Sequence, residues 1–316
     1  MERTQRTQHL TGALLGLAIG DAMGASVEFQ QPGSFKPVTG FRSGGPFNLP
    51  AGYWTDDTSL ALCSAQSLIE CAKFDPEDHQ IRFRRWYREG YRSSTGSCFD
   101  IGNQTRKAIH QYEQTGNLYV GAESHGSAGN GALMRLAPMV MAYHQNQQEA
   151  LEMAENHALL THSDPRCLDA NRAYTWFLLR AFQIQDKPWV LEPGVVKNAL
   201  KTTHPEIAEV LEGSYRENQP PYIKGTGYVV KSLEAALWAF WNSTTFEDGL
   251  LMAVNLGDDA DTTGAIYGQL AGAFYGVEGI PEHWVQALHQ SDEIIQLANS
   301  LVQNTLNSDV TADSHR

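Results

Sequence analysis

The chain has 316 residues, 42% hydrophobic and 19% charged, and 36 acidic against 23 basic side chains leave a net charge of −13 with histidine neutral. That apolar fraction supports a sizeable core and excludes a disordered chain, while the length accommodates one large domain or two ordinary ones. The acidic balance argues against nucleic-acid and anionic-membrane partners, which need clustered Lys and Arg; Arg82, Arg84, Arg85 and Arg88 read as a solvated helix face.

Helical periodicity predicts helices over 10–24, 57–71, 79–92, 101–114, 131–144, 148–160, 168–183, 231–242, 246–254, 263–275 and 283–303, with strand signals nearly absent. Arg3 and Arg6 before the apolar stretch Leu10–Ile19 imitate a signal peptide, but Asp21 interrupts it where a cleavage region would sit. No run approaches the roughly 18 apolar residues of a membrane span. Cys63, Cys71, Cys98 and Cys167 form no CxxC pair and fit a reducing compartment. With no repeat or linker in the body of the chain, the expectation is a single all-α domain over 1–304, a disordered polar tail over 305–316, and a soluble, cytoplasmic protein.

Two predicted helices carry glycine every fourth residue: Gly12, Gly16, Gly20 and Gly24, then Gly264, Gly268, Gly272 and Gly276. Four-residue spacing lines each set along one side of a helix. Each helical glycine costs about 1 kcal/mol relative to alanine, so the stripes imply close backbone approach to a neighbouring element. A membrane GxxxG dimer is disfavoured by the adjoining carboxylates, Asp21 and Glu28 for the first stripe and Asp258, Asp259 and Asp261 for the second.

Trp54-Thr55-Asp56-Asp57-Thr58 opens a helix, where Thr55 reads locally as an N-cap and the acids suit the helix dipole. Gly257-Asp258-Asp259-Ala260-Asp261-Thr262-Thr263 opens another, and its three carboxylates within four residues repel one another more than one helix terminus offsets. A cation resolves that conflict. Carboxylates with Thr hydroxyls suit Mg²⁺, Mn²⁺ or Ca²⁺ rather than zinc. An EF-hand is excluded because Leu270 stands where the bidentate Glu belongs. Two acid and Thr clusters at helix N-termini can instead converge on one or two ions.

Gly126-Ser127-Ala128-Gly129-Asn130-Gly131 precedes an apolar helix and reads either as a plain turn or as a phosphate-binding loop. Ala132 replaces the lysine of a P-loop, and Met134 the third glycine of a dinucleotide fingerprint. His162 lies in a polar turn, where most histidines are exposed, and Asp100 reads on local grounds as an N-cap. Neither a GxSxG elbow nor an HExxH helix is present, which favours metal-assisted chemistry.

Together these segments resemble the ADP-ribosylglycohydrolase family of all-α, dimagnesium hydrolases, most closely its bacterial branch. The resemblance runs from Gly16-Leu17-Ala18-Ile19-Gly20-Asp21 with Glu28, through Trp54-Thr55-Asp56-Asp57-Thr58, Gly129-Asn130-Gly131 and Leu160-Thr161-His162. It ends with Gly225-Thr226-Gly227-Tyr228 and Asn255-Leu256-Gly257-Asp258-Asp259-Ala260-Asp261-Thr262. It implies that Thr55, Asp56, Asp57, Asp259, Asp261 and Thr262 hold two Mg²⁺ ions, with Mn²⁺ able to substitute. Many members have Gly-Gly-Asp at Gly257-Asp258-Asp259, so Asp259 is taken as the ligand and Asp258 as its neighbour. Glu28 is implied as the acid/base or water-positioning group, and Asp100 as the acid that holds a guanidinium. Ser127, Gly129, Asn130, Gly131, His162 and Gly227 are implied to cradle the diphosphate and ribose, with Tyr228 stacking on or bonding to the ligand.

The implied activity is removal of ADP-ribose from the arginine of a mono-ADP-ribosylated protein, by water attack at the anomeric carbon. Rival expectations are another linkage, such as serine O-linked ADP-ribose, an immunity protein against an ADP-ribosylating toxin, and a non-catalytic ADP-ribose-binding protein. The presence of every implied ligand favours catalysis, and the short polar segment before Leu10 favours it over blocking.

Overall fold

The computed structural model describes residues 3–120, 128–194, 196, 200 and 204–313. Its helices are α1 (Arg3–Gly24), α2 (Asp56–Cys71), α3 (Pro76–Glu89), α4 (Asn103–Thr115), α5 (Ala137–Tyr143), α6 (Gln147–Leu159), α7 (Pro165–Ala181) and α8 (Lys187–Val190). There follow α9 (Pro205–Glu212), α10 (Ser214–Glu217), α11 (Val229–Asn242), α12 (Phe246–Val254), α13 (Ala260–Tyr275), α14 (Glu282–Ala287) and α15 (Ser291–Asp313). Among the described residues, strand-like pairing is limited to two isolated bridges, Gly44 with Leu49 and Gly129 with Tyr228. No helix there is long and apolar enough to cross a membrane.

The two glycine stripes pack on each other. A Cβ built on Gly12 would lie 2.4 Å from the Gly272 carbonyl oxygen, on Gly16 2.2 Å from that of Gly268, and on Gly20 2.0 Å from that of Gly264. Rising numbers in α1 meet falling numbers in α13, so the helices run antiparallel with their backbones in contact. The end of α1, with Asp21, therefore abuts the start of α13, with Asp261. Around this pair the core is filled by large buried side chains, including Trp54, Trp86, Tyr174, Tyr267, Phe240 and Trp284.

Several boundaries differ from the sequence expectation for identifiable reasons. The predicted helix over 131–144 begins only at Ala137, because the buried Gln269 side chain donates to the carbonyls of Leu133 and Met134 and accepts from the Ala137 N–H. The segment over 283–303 divides between α14 and α15, and α15 continues past 304 to Asp313. Arg82 is not part of a solvated face. It is buried, with Nε 2.5 Å from Asp78 and Nη2 2.6 Å from Glu70.

Candidate active site

The helix start at Asp56 is held from a distance. Thr55 occupies the N-cap position but its side chain caps nothing. Asp21 does that work from the end of α1: one carboxylate oxygen accepts from the Thr55 N–H (2.8 Å) and hydroxyl (2.9 Å), the other from the Thr58 N–H (3.0 Å) and hydroxyl (2.6 Å). Two orphan amides of the first turn are thus satisfied by a charge at the favourable end of the helix dipole. Burial raises the Asp21 carboxyl to about 6, moderated by these four bonds.

Freed from capping, the Thr55 hydroxyl faces the carboxylates. Besides Asp21, it lies 3.2 Å from Asp57 and 3.1 Å from Asp261, and a single proton cannot serve three oxygens. Carboxylate oxygens of Asp21, Asp57 and Asp261 lie within 4.8 Å of one another, as do those of Glu28, Asp100 and Asp261. Asp261 belongs to both groups, so the two acidic clusters of the sequence meet in space. Asp57 Oδ1, Asp261 Oδ1 and Glu28 Oε2 are buried and have no hydrogen-bond partner.

Burial, with such crowding, pushes these carboxyls upward. Burial and then the charge of Asp100 raise Glu28 to about 10, while burial and then Asp259 raise Asp100 to about 8. Asp56, Asp57 and Asp261 rise well above the carboxylate range, burial first and neighbouring acids next. Asp259 rises too, with Asn130 Nδ2 donating to it at 2.6 Å. Unpartnered carboxylate oxygens beside Thr hydroxyls, without a thiolate among them, fit a hard divalent cation. Asp57 and Asp261 contribute oxygens to these groups beside the Thr55 hydroxyl, which Asp21 also binds, while Asp56, Asp259 and Thr262 line the adjoining cleft.

Glu28, Asp56, Asp100, Asp258, Asp259 and Asp261 line a cleft of about 800 Å³. Gly129, Asn130, Gly131 and His162 line it, with Gly227 on the facing segment. That segment is paired to the glycine loop by bonds from Asn130 N to Gly227 O and from Val229 N to Ala128 O. His162 is buried rather than exposed, its ring pressed against the glycines, since a Cβ on Gly131 would fall 2.9 Å from its Cε1. Asp100 is not an N-cap: α4 starts after Gly102, and Asp100, in left-handed backbone with φ 54°, lines the cleft beside Glu28. Tyr228 turns elsewhere, its phenol donating to Glu206 at 2.6 Å and accepting from Arg166 at 3.1 Å. Ser127 lies outside the described residues.

Sequence reasoning missed the role of Asp21 and the cleft residues Phe29, Gln104, Thr105 and Met134. Gln104 and Thr105 follow closely on Asp100, which was the available signal. Asp21 offered only its place in a glycine stripe.

An acidic, cation-fitting centre at helix N-termini in an all-α fold defines a class of hydrolase, and comparisons with known proteins agree. The ADP-ribosylglycohydrolase family model matches residues 2–310. The ADP-ribosylarginine hydrolase Tri1 of Pseudomonas putida (strain GB-1) is 40% identical, over 94% of this chain and 78% of that protein. The ADP-ribosyl-[dinitrogen reductase] glycohydrolase of Rhodospirillum rubrum is 33% identical, over 89% of this chain and 90% of its own. A solved structure described as an ADP-ribosylglycohydrolase-related protein complex superposes with a TM-score of 0.86 at 43% identity, covering 96% of this chain and 99% of that one. The chain belongs to the ADP-ribosylglycohydrolase family. It is a glycohydrolase enzyme.

Proposed function

We propose that the enzyme hydrolyses the N-glycosidic bond between ADP-ribose and the arginine side chain of a modified protein, with two Mg²⁺ ions bound among its carboxylates. The observation that carries this reading is the pair of overlapping carboxylate groups sharing Asp261 at the floor of a cleft whose wall is the Gly129–Gly131 loop. Likeness to the two relatives named for arginine-linked or protein-linked ADP-ribose supports the substrate.

Held by Thr55, Asp56, Asp57, Asp259, Asp261 and Thr262, divalent ions would offset the carboxylate charge and supply Lewis-acid polarisation. The chain's own residues do the rest. The backbone of Gly129 and Gly131 and the ring of His162 receive the diphosphate, and Asn130, bonded to Asp259 and to Ser232 at 2.9 Å, ties that wall to the acidic floor. Asp100 holds the guanidinium of the arginine. With the surrounding carboxylate charge offset, Glu28 Oε2 takes a proton from the attacking water while the anomeric carbon–nitrogen bond breaks, and passes that proton to the departing guanidine nitrogen. Surrounding carboxylates stabilise the oxocarbenium-like charge.

The test is release of ADP-ribose, followed by mass spectrometry, from an arginine-ADP-ribosylated protein with Mg²⁺ or with EDTA. Release is expected with Mg²⁺ alone and is expected to vanish in Asp259→Ala. Release unaffected by EDTA would overturn the metal assignment. No release, with ADP-ribose still bound, would overturn the arginine linkage.

A further inference from the structure

Arg135 is fully buried beneath the cleft wall and has no carboxylate among its hydrogen-bond partners. Its Nη1 donates to the Gly131 carbonyl, its Nη2 donates to the Thr161 hydroxyl at 2.6 Å, and its Cζ stands 4.9 Å from the centre of the Phe83 ring. One guanidinium therefore fastens both the glycine loop and the turn that carries His162. The Thr161 hydroxyl in turn lies 2.8 Å from His162 Nδ1.

Donor and acceptor chemistry fixes the direction of this chain. A guanidinium has donors only, so Thr161 Oγ1 must accept from Arg135. The hydroxyl proton then needs an acceptor, and Thr161 is wholly buried, out of reach of bulk water. His162 Nδ1 is the nitrogen within reach. If Nδ1 carried a proton instead, the two lone pairs of the Thr161 oxygen could accept from both guanidinium and ring, but the hydroxyl proton would be left without an acceptor. Nδ1 thus accepts, and the neutral ring carries its proton on Nε2. That nitrogen is the ring atom nearest Gly129, where a Cβ would fall 3.3 Å from it, on the cleft wall.

We propose that Arg135 and Thr161 are positioning residues that lock His162 in the Nε2–H tautomer, presenting a fixed, uncharged donor to the anion bound along the glycine loop. Burial, with the nearby Arg135 charge, keeps the ring neutral, its protonation lowered to about 3. A neutral donor contributes direction without adding net charge. The tautomer follows from the hydrogen bonds alone, whereas its use against a diphosphate rests on the ADP-ribose reading.

The two parts fail separately. In full-length protein labelled with nitrogen-15 histidine, the wild-type His162 is expected to show a bare, pyridine-like Nδ1 and a protonated Nε2. A protonated Nδ1 overturns the relay without any mutation. Thr161→Val and Arg135→Met are expected to raise the KM for an ADP-ribosylated substrate about tenfold, with kcat changed less than about twofold, as for a lost contact made equally in ground and transition states. Thr161→Ser is expected to restore both the KM and the nitrogen signature, which also separates the relay from misfolding of the valine variant. If His162→Ala and Thr161→Val lower affinity additively in the double variant, the threonine does not act through the histidine and the proposal falls. If the wild-type tautomer is as stated but ADP-ribose shifts neither nitrogen, the relay stands and the substrate reading falls.

Discussion

Gly20 and Gly264 meet backbone to backbone: a Cβ on Gly20 would lie 2.0 Å from the Gly264 carbonyl oxygen, and one on Gly264 2.3 Å from that of Gly20. This contact sets the distance between Asp21 and Asp261, which each stand on or beside it. Gly20→Ala therefore pits two effects against each other. Alanine gains about 1 kcal/mol of helix propensity. The new methyl, facing rigid backbone, costs roughly 1–3 kcal/mol or more because the helices must part. The clash is expected to win, giving net destabilisation in urea and weaker divalent-cation binding. Gly40→Ala is the control: no atom lies nearer than 4.0 Å to a Cβ built there and its backbone is outside the left-handed region, so stability within about 0.5 kcal/mol of wild type is expected. A Gly20→Ala protein as stable as wild type would show that the helices can separate freely.

Asp21 is the residue through which the glycine contact reaches the acidic centre. In Asp21→Asn one oxygen becomes an amide nitrogen, so donors face each other either at Thr58, now bonded at 3.0 and 2.6 Å, or at Thr55. A buried donor left unsatisfied costs about 1–3 kcal/mol. The expected result is that loss in denaturant unfolding, with weakened Mg²⁺ binding by calorimetry. Unchanged Mg²⁺ affinity would mean that Asp21 does not place Thr55, Asp57 and Asp261.

What the sequence made legible here was periodic or electrostatic. The stripes at Gly12–Gly24 and Gly264–Gly276 announced a close backbone approach, and their partner proved to be each other. Repulsion among Asp258, Asp259 and Asp261 marked an acidic cluster able to hold a cation, and Asp261 proved to belong to both carboxylate groups. What stayed hidden depended on contacts distant in the chain. Thr55 looks like an N-cap locally, and only Asp21, 34 positions away, turns its hydroxyl toward the acids. Asp100 looks like a cap until its left-handed backbone places it beside Glu28. The short helices α9 and α10 and the late start of α5 were also missed, the last because Gln269 competes for the backbone groups.

Without metal, the acidic centre makes stability fall as pH rises. Burial and mutual repulsion lift Asp21 to about 6, Asp100 to about 8 and Glu28 to about 10 in the folded chain, against unfolded values near those of free carboxyls. The folded state therefore holds protons the unfolded state has shed. Its advantage is complete below about pH 4 and is lost as pH climbs through these folded values. Divalent ions need the ionised carboxylates, so their effect runs the other way. Thermal melts in EDTA are expected to show a falling midpoint from pH 6 to pH 8, and the rise on adding Mg²⁺ is expected to be larger at pH 8. An equal rise at both values would contradict the carboxylate origin of the site.

On the proposed reading, Asp100 serves recognition of the leaving group separately from grip on ADP-ribose. Its carboxyl lines the cleft within the group formed with Glu28 and Asp261, while Gly129 and His162 line another part of the same wall. A charged contact to a guanidinium contributes about 1.5–3 kcal/mol, or roughly tenfold to a hundredfold. Asp100→Ala is therefore expected to lower kcat/KM for arginine-linked ADP-ribose by that factor, and to leave the Kd for free ADP-ribose within about threefold. A serine-linked substrate has no guanidinium, so any activity toward it is expected to fall much less. Equal losses on both linkages would show that Asp100 serves the shared acidic centre, acting through the Glu28 proton it helps to hold, and not the arginine.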